Sequence, residues 1–301
     1  MPSTWKDKIL FLSAFALFIL SLSLLNRMFF KQNSGFCVAF LYSRLESNPD
    51  WEIMLPKLEE DAIKEALDQK FYYLAKGCHC YAFISEDQKY VIKFHRYASH
   101  LRLFSWAYHP FSYLFDERRK KIKEHNMQRL KTNLQSYKDC YCELKEEAGL
   151  LLMHINRSEN LHKSITIIDK MKSEYRISLD DVTFILQRKA DPIFSKLDQL
   201  IKEDKIDEAK KMISSILQLI ITDSQKGFID KDPVLRRNYG WVDNRAIHID
   251  VGDLVKCEEM RLRQNYLPHV KAITQGLRLK IEHCPALLEY YEREIQAYET
   301  H

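Results

Sequence analysis

The apolar positions along this chain change period several times, and each change predicts an element. Residues 9–25 are seventeen consecutive apolar or Ser positions without a charge, bounded by Lys6 and Lys8 before and Arg27 and Lys31 after. As a helix this run would be roughly 25 Å long, near the lower limit for crossing a bilayer. Small residues that would favour cleavage do not follow it, since Leu24-Leu25-Asn26-Arg27 comes next. A retained membrane anchor is therefore expected, with a cleaved signal or a buried helix as the alternatives. The flanking charges are nearly balanced and leave its orientation open. After a turn at Asn48-Pro49-Asp50, residues 55–69 return to helical spacing through Leu58, Ala62, Ala66 and Leu67.

Residues 71–74, 81–84 and 89–95 read as three short strands, the last two joined by Ser85-Glu86-Asp87-Gln88. Residues 97–115 are rich in aromatic side chains. They predict either a helix packed on the strands or an interfacial segment lying on a membrane. Residues 116–153 predict one long helix with an apolar stripe of Leu130, Leu134, Tyr137, Tyr141, Leu144, Ala148 and Leu151. Two further strands follow at 165–171 and 182–187, then amphipathic helices at 194–201 and 206–223. Last come a hairpin at 241–251 and helices at 267–281 and 286–298. In the hairpin Ile247, Ile249 and Val251 alternate with Ala246, His248 and Asp250, and Asp243-Asn244 supply turn residues that tolerate φ > 0.

Composition adjusts this picture only slightly. A chain of 301 residues, 46% hydrophobic and 29% charged, is ordinary globular stock with room for two lobes. A net charge of +4 argues against a dedicated nucleic-acid binder. Seven cysteines, four of them in the pairs Cys78/Cys80 and Cys140/Cys142, do not resemble a secreted disulfide framework. Reduced thiols are expected, with a zinc site as the weaker alternative. On a helix Cys140 and Cys142 would point roughly 200° apart and could not grip one ion together.

The chemistry gathers in residues 226–252, KGFIDKDPVLRRNYGWVDNRAIHIDVG, which hold three of the seven glycines. A hairpin there brings Asn238 close to Asp250, beside Asp232. Two oxygen ligands and a further carboxylate suit Mg²⁺, an ion usually held by one or two carboxylates together with substrate phosphates.

This stretch resembles the catalytic and metal-binding loops of the protein-kinase-like superfamily. Gly-Phe-Ile-Asp-Lys-Asp, Asn238 and Ile-Asp-Val-Gly stand where that family has Gly-hydrophobic-hydrophobic-His-Arg-Asp, an Asn and Asp-Phe-Gly. Val91-Ile92-Lys93 similarly resembles the family's strand lysine motif, and Leu74-Ala75-Lys76-Gly77 its entry to a phosphate-covering loop. The resemblance spans about residues 71–252 and implies an α+β, two-lobed protein-kinase-like fold preceded by one transmembrane helix. The expected division is an anchor at 1–31, a juxtamembrane segment and helix at 32–70, a small lobe at 71–190 with 97–115 inserted, and a reduced helical lobe at 191–301.

By the same resemblance Asp232 is the catalytic base, with Asp230 as the alternative, and Asn238 and Asp250 hold Mg²⁺. Lys93, with Lys76 and Gly77, contacts the phosphates of ATP. A helix glutamate should fix Lys93, and Glu147 lies nearer the apolar stripe than Glu143 or Glu146. Arg236 and Arg237 could add positive charge. The partners expected are a nucleotide, membrane lipids through the first helix, and a hydroxyl acceptor, with no nucleic acid. The kinase-like domain is expected in the cytoplasm, where ATP is.

The departures from the pattern are specific. Asn238 follows Asp232 by six residues, Val251 replaces Phe, and only Gly77 of the usual three loop glycines is present. No Ala-Pro-Glu follows Gly252, which points away from peptide substrates. A membrane-tethered pseudokinase scaffold therefore stands as the alternative function, and an unrelated membrane-anchored α+β structural protein as a third. For Lys93 the plain reading is an edge-strand side chain that snorkels to water.

Overall fold

Side chains that alternate between burial and solvent build the first lobe, as in residues 80–85, where every second side chain is buried. In the computed structural model, which describes residues 5–42, 47–53, 61–77, 79–96 and 116–300, seven strands form one curled sheet. They are β1 (Lys70–Lys76), β2 (Cys80–Ser85), β3 (Tyr90–His95), β4 (Leu150–His154), β5 (Ser164–Ile168), β6 (Glu174–Ser178) and β7 (Phe184–Arg188). Their order is β4-β7-β3-β2-β1-β5-β6. Only β1 and β5 run parallel; every other pairing in this sheet is antiparallel. The inner strand β3 is buried along its length except at Lys93, which is half-buried.

Each face of the sheet has its own apolar cover. On one, Tyr81, Phe83, Ile92 and Phe94 pack with Phe36 and Leu41 and with Ile63 and Leu67 of helix α2 (Asp61–Leu67). On the other, Leu150, Met153 and Ile185 meet Leu130, Leu134, Tyr137 and Leu144 of helix α3 (Asp116–Glu143) or the turn that follows it. That second core also takes in Phe228, Val251 and Leu254, so it continues across the junction between the lobes.

The second lobe is mainly helical. It contains β8 (Asp191–Pro192), α4 (Ile193–Lys202), α5 (Ile206–Gln225), β9 (Phe228–Asp230), α6 (Leu235–Asn238), β10 (Tyr239–Val242), β11 (Arg245–His248), β12 (Leu254–Lys256), α7 (Arg263–Ile281) and α8 (Pro285–Thr300). Its core is the apolar face of α5, including Met212, Ile213, Ile216 and Ile220, against Leu197, Val270, Leu277 and Leu287. The fold is thus mixed α+β, with a curled sheet lobe and a helical lobe.

Helix α1 (Trp5–Gln32) precedes both lobes. Within its segment Lys8–Gln32 an 18-residue window reaches a mean hydropathy of 2.3 and none of that window is buried, so the helix is long and apolar enough to cross a membrane.

Three expectations fail, the first two for a local reason. The helix expected over 116–153 stops at Glu143, because Gly149 takes a left-handed backbone (φ +57°) and residues 150–154 pair with β7 instead. Leu150-Leu151-Leu152-Met153 is apolar on both faces, and a buried strand fits that run as well as a helix. The strand expected over 165–171 ends at Ile168, since the Asp169 carboxylate accepts the N–H groups of Met171 and Ser173 and closes a turn. The second strand of the hairpin ends at His248 instead of Val251. The turn itself is as read, with φ +49° at Asp243 and +58° at Asn244. The aromatic segment 97–115, Cys78 and the first part of the expected 55–69 helix lie outside the described residues.

Candidate functional site at the junction of the two lobes

Strand β3, helix α3 and the stretch 226–252, distant in sequence, meet where the sheet lobe touches the helical lobe. Strand β3 contributes Lys93, whose ammonium donates to the backbone carbonyl of Ile249. Burial pulls Lys93 below its ordinary value, while Asp250 and Cys80 act in the opposite direction. The next residue, Asp250, is exposed and sits just beyond β11. Its carboxylate accepts the N–H of Gly252 (3.1 Å), which holds the loop in a tight turn.

Helix α6 supplies Asn238. Its carbonyl accepts the N–H of Ile249 at 2.6 Å and, more weakly, that of Asp250 at 3.4 Å. Its side-chain amide donates to the carbonyl of Asp232 (2.6 Å) and lies 3.3 Å from the Asp232 carboxylate. Asp232 is half-exposed and faces the Arg237 guanidinium at 3.3 Å. The one-residue extension between Asp232 and Asn238 is absorbed by the turn at Asp232–Val234 and the single helical turn of α6. A chain of direct contacts therefore runs Lys93–Ile249/Asp250–Asn238–Asp232–Arg237.

Asp230 takes a different place. It is buried, accepts the N–H of Asp232 (2.9 Å) and the hydroxyl of Tyr239 (3.1 Å), and props the loop from below. Burial raises its carboxyl, opposed by the nearby His248. His248 is itself fully buried, 2.5 Å from Asp223 on α5. Burial lowers the His248 imidazole, but the charge and hydrogen bond of Asp223 overcome it and leave the group raised. Sequence reasoning missed this Asp223–His248–Tyr239–Asp230 cluster. A polar residue inside an apolar α5 stripe and a His on a buried strand were the available signals.

The expected Lys93–Glu147 pair is not formed. Glu147 lies beyond the end of α3, in the turn before β4. Its carboxylate meets Lys226 (2.5 Å), and its backbone carbonyl accepts the N–H of His248 (2.9 Å). With α3 ending at Glu143, Glu147 occupies no helix face. The face of α3 that reaches the site carries Asn133, Ser136, Tyr137 and Cys140, spaced as one helical stripe. Asn133 donates to the Gly252 carbonyl (3.0 Å), and Ser136 to that of Val251 (3.1 Å). Tyr137 Oη lies 3.6 Å from the sulfur of Cys80, a thiol that burial pushes up to about 11. The helix clasps the Asp250 loop through neutral groups.

Gly77 and Lys76 also depart from expectation. Gly77 donates its N–H to Cys80 (2.9 Å) and its carbonyl accepts Arg96 (2.7 Å), so this amide already has a partner inside a short β1–β2 turn. Lys76 lies against Gly35, at the end of α1. Of the two cysteines on α3, Cys140 is buried and Cys142 exposed.

No group of three His, Cys, Asp or Glu side chains gathers at metal-binding spacing among the described residues. One carboxylate, Asp250, and one amide, Asn238, remain as oxygen donors beside Asp232. That is the sparse oxygen set with which proteins hold Mg²⁺ when phosphates complete its shell.

No protein-family model matches the chain, and no curated protein sequence matches it. Among solved structures it is similar to WbdD in a co-crystal with a kinase inhibitor, at 17% identity and a TM-score of 0.35. It is also similar to WbdD in a 2.2 Å crystal structure, at 15% identity and the same TM-score. Each match covers 74% of this chain and 45% of the other. The chain thus spans less than half the length of these proteins.

Proposed function

We propose that this protein is an ATP- and Mg²⁺-dependent phosphotransferase of kinase-like type, held at a membrane by α1. The observation that carries the reading is the meeting of Lys93 on β3 with Asp232, Asn238 and Asp250 of the 226–252 stretch at the lobe junction. Lys93, freed from the Ile249 carbonyl, would bind the nucleotide's phosphates. Asp250 and Asn238 would hold the metal, which when bound neutralises charge on the phosphates. Asp232 would orient the acceptor hydroxyl and take its proton as the new P–O bond forms and the bond to the leaving ADP breaks. Such catalysis is largely positioning and charge neutralisation. Arg237 already stands beside Asp232 and could move to a phosphate oxygen, a ligand its planar fork suits.

A second reading, a membrane-tethered scaffold without catalysis, is favoured by the engaged Gly77 amide and by Glu147 being held at Lys226. One experiment separates the two: thermal unfolding of the full chain in detergent with ATP, with and without Mg²⁺. A ligand at about 100 times its dissociation constant contributes about 2.7 kcal/mol by linkage. A Mg²⁺-dependent rise that is lost in Lys93→Ala supports the enzyme. No rise at millimolar nucleotide rejects it in favour of the scaffold.

A further inference from the structure

The C-terminal end of α1 is built directly into the sheet lobe. Asn33 donates to the Asp169 carboxylate (2.8 Å), and Lys170 donates to the Ser34 hydroxyl (3.2 Å). Gly35 takes a left-handed turn (φ +71°), and its carbonyl accepts the Tyr81 hydroxyl. Phe36 then enters the sheet core against Tyr81, Phe83 and Tyr175. Only a turn therefore separates a membrane-spanning α1 from the folded lobe, and whatever flanks that turn must lie at headgroup level.

Two features flank it. One is the β5–β6 turn, whose tip is Lys170-Met171-Lys172 with all three residues exposed. Hydrogen bonds define the backbone of the tip. Asp169, itself buried, accepts the N–H groups of Met171 and Ser173 (2.9 Å each), and Lys172 is kept at φ +68°. The other is the end of β1, where Leu74 and Lys76 are exposed and the Lys76 ammonium lies beside Gly35. Among the described residues, Leu74 (48% exposed) and Met171 (40%) are two of the five large apolar side chains exposed outside α1.

Lys31 on α1 adds a further exposed cation. Of the nearby acids, Asp169 is buried in its own turn and Glu174 is paired with Lys70 (3.0 Å). The surface therefore presents lysines around two apolar tips. Cations attracted by lipid phosphates, with apolar side chains between them that can enter the acyl boundary, are the chemistry of an interfacial contact.

We propose that this end of the sheet lobe, formed by Lys31, Leu74, Lys76, Lys170, Met171 and Lys172, docks on the anionic leaflet from which α1 emerges. The proposal rests on reading α1 as a membrane span. The lobe is then oriented on the bilayer, and the β1–β2 turn at Gly77 lies close to the headgroups, because β1 leads straight from the docked end into that turn.

The test uses the full chain reconstituted in vesicles of phosphatidylcholine alone or with phosphatidylglycerol. Lysines are acetylated with a water-soluble reagent and quantified by mass spectrometry. In anionic vesicles Lys170 and Lys172 should react about fivefold more slowly than in neutral ones, the order expected for a lysine held at a charged surface. Lys202 and Lys211 on the helical lobe should be unchanged. Raising the salt to about 1 M should remove the difference by screening. Replacing Met171 with Asp should remove it as well.

Equal reactivity of Lys170 and Lys172 in the two vesicle types overturns the docking. Alkaline carbonate extraction of the same vesicles reports separately on α1. Protein that stays embedded while its lysines react equally refutes docking alone, whereas protein that is fully extracted refutes both the span and the docking.

Discussion

Gly240 sits where three parts of the site abut, and Gly240→Ala tests how tightly they are joined. A Cβ at Gly240 would lie 2.5 Å from the Cβ of Ala190 and 2.9 Å from two side-chain carbons of Ile249. Ile249 can rotate away in part. The Cβ of Ala190 cannot, because it is fixed to the backbone leading into β8, which pairs with β10 at Gly240↔Pro192. The contact is almost an ångström short of ordinary van der Waals distance, so β10 must part from that segment. Overpacking of this kind typically costs about 1–3 kcal/mol, and in domains of this size about 2–4 °C of melting temperature per kcal/mol. A fall of roughly 3–10 °C is expected by differential scanning fluorimetry of the full chain in detergent. The backbone of Gly240 is not left-handed, so the penalty is purely steric. It follows that Ala190→Gly should recover part of the loss in the double variant. Gly77→Ala is the control, since among the described residues its Cβ would meet only Cys80 backbone atoms, at 3.6 and 4.0 Å. That change should be neutral or stabilise by up to about 1 kcal/mol, through a less flexible unfolded chain. An unchanged melting temperature for Gly240→Ala, or no recovery from Ala190→Gly, would refute the packing argument.

The other expectations concern charge. Asp250→Ala should abolish the Mg²⁺-dependent thermal response to ATP while leaving the unliganded melting temperature near the parent's, because the side chain is exposed. Glu147→Gln should retain that response, since its partner is Lys226 and not Lys93; loss in Glu147→Gln alone would contradict the geometry. Asp223→Ala should cost about 3–5 kcal/mol, the usual penalty for stripping one partner from a buried ion pair, and it is checked by urea denaturation. The raised His248 binds its proton more tightly folded than unfolded. Its contribution is present in full below about pH 6.5, the unfolded value, and is lost as pH rises through the folded value. Melting temperature should therefore fall between pH 6.5 and alkaline pH, and His248→Gln should flatten that slope.

Much of this architecture is written in local pattern. Residues 80–85 and 90–95 alternate or run apolar between turn residues, and they form strands within a residue of the expected bounds. Asp243-Asn244 tolerate φ > 0 and make the hairpin turn. The stripe Leu130, Leu134, Tyr137, Tyr141 faces a core because helical period alone dictates a face. Cys140 and Cys142 part for the same reason. The apolar run of α1 needs no partner to be recognised.

Where periodicity is degenerate, only tertiary contacts decide. Leu150-Leu151-Leu152-Met153 satisfies helix and buried strand equally, and pairing with β7 made it a strand. That single choice moved Glu147 from a helix face to a turn, where Lys226 was within reach. The roles of Asp230 and Asp232 could not be told apart from composition either. Burial beneath Tyr239 and beside His248 makes one a prop of the loop, whereas the other stays half-exposed beside Arg237. The Lys-Met-Lys tip at residues 170–172 reads as an ordinary solvated turn until the fold sets it beside the end of α1. Spacing along the chain determines which face a side chain occupies. Which distant charge it then meets depends on how the elements pack, and that is a property of the folded molecule alone.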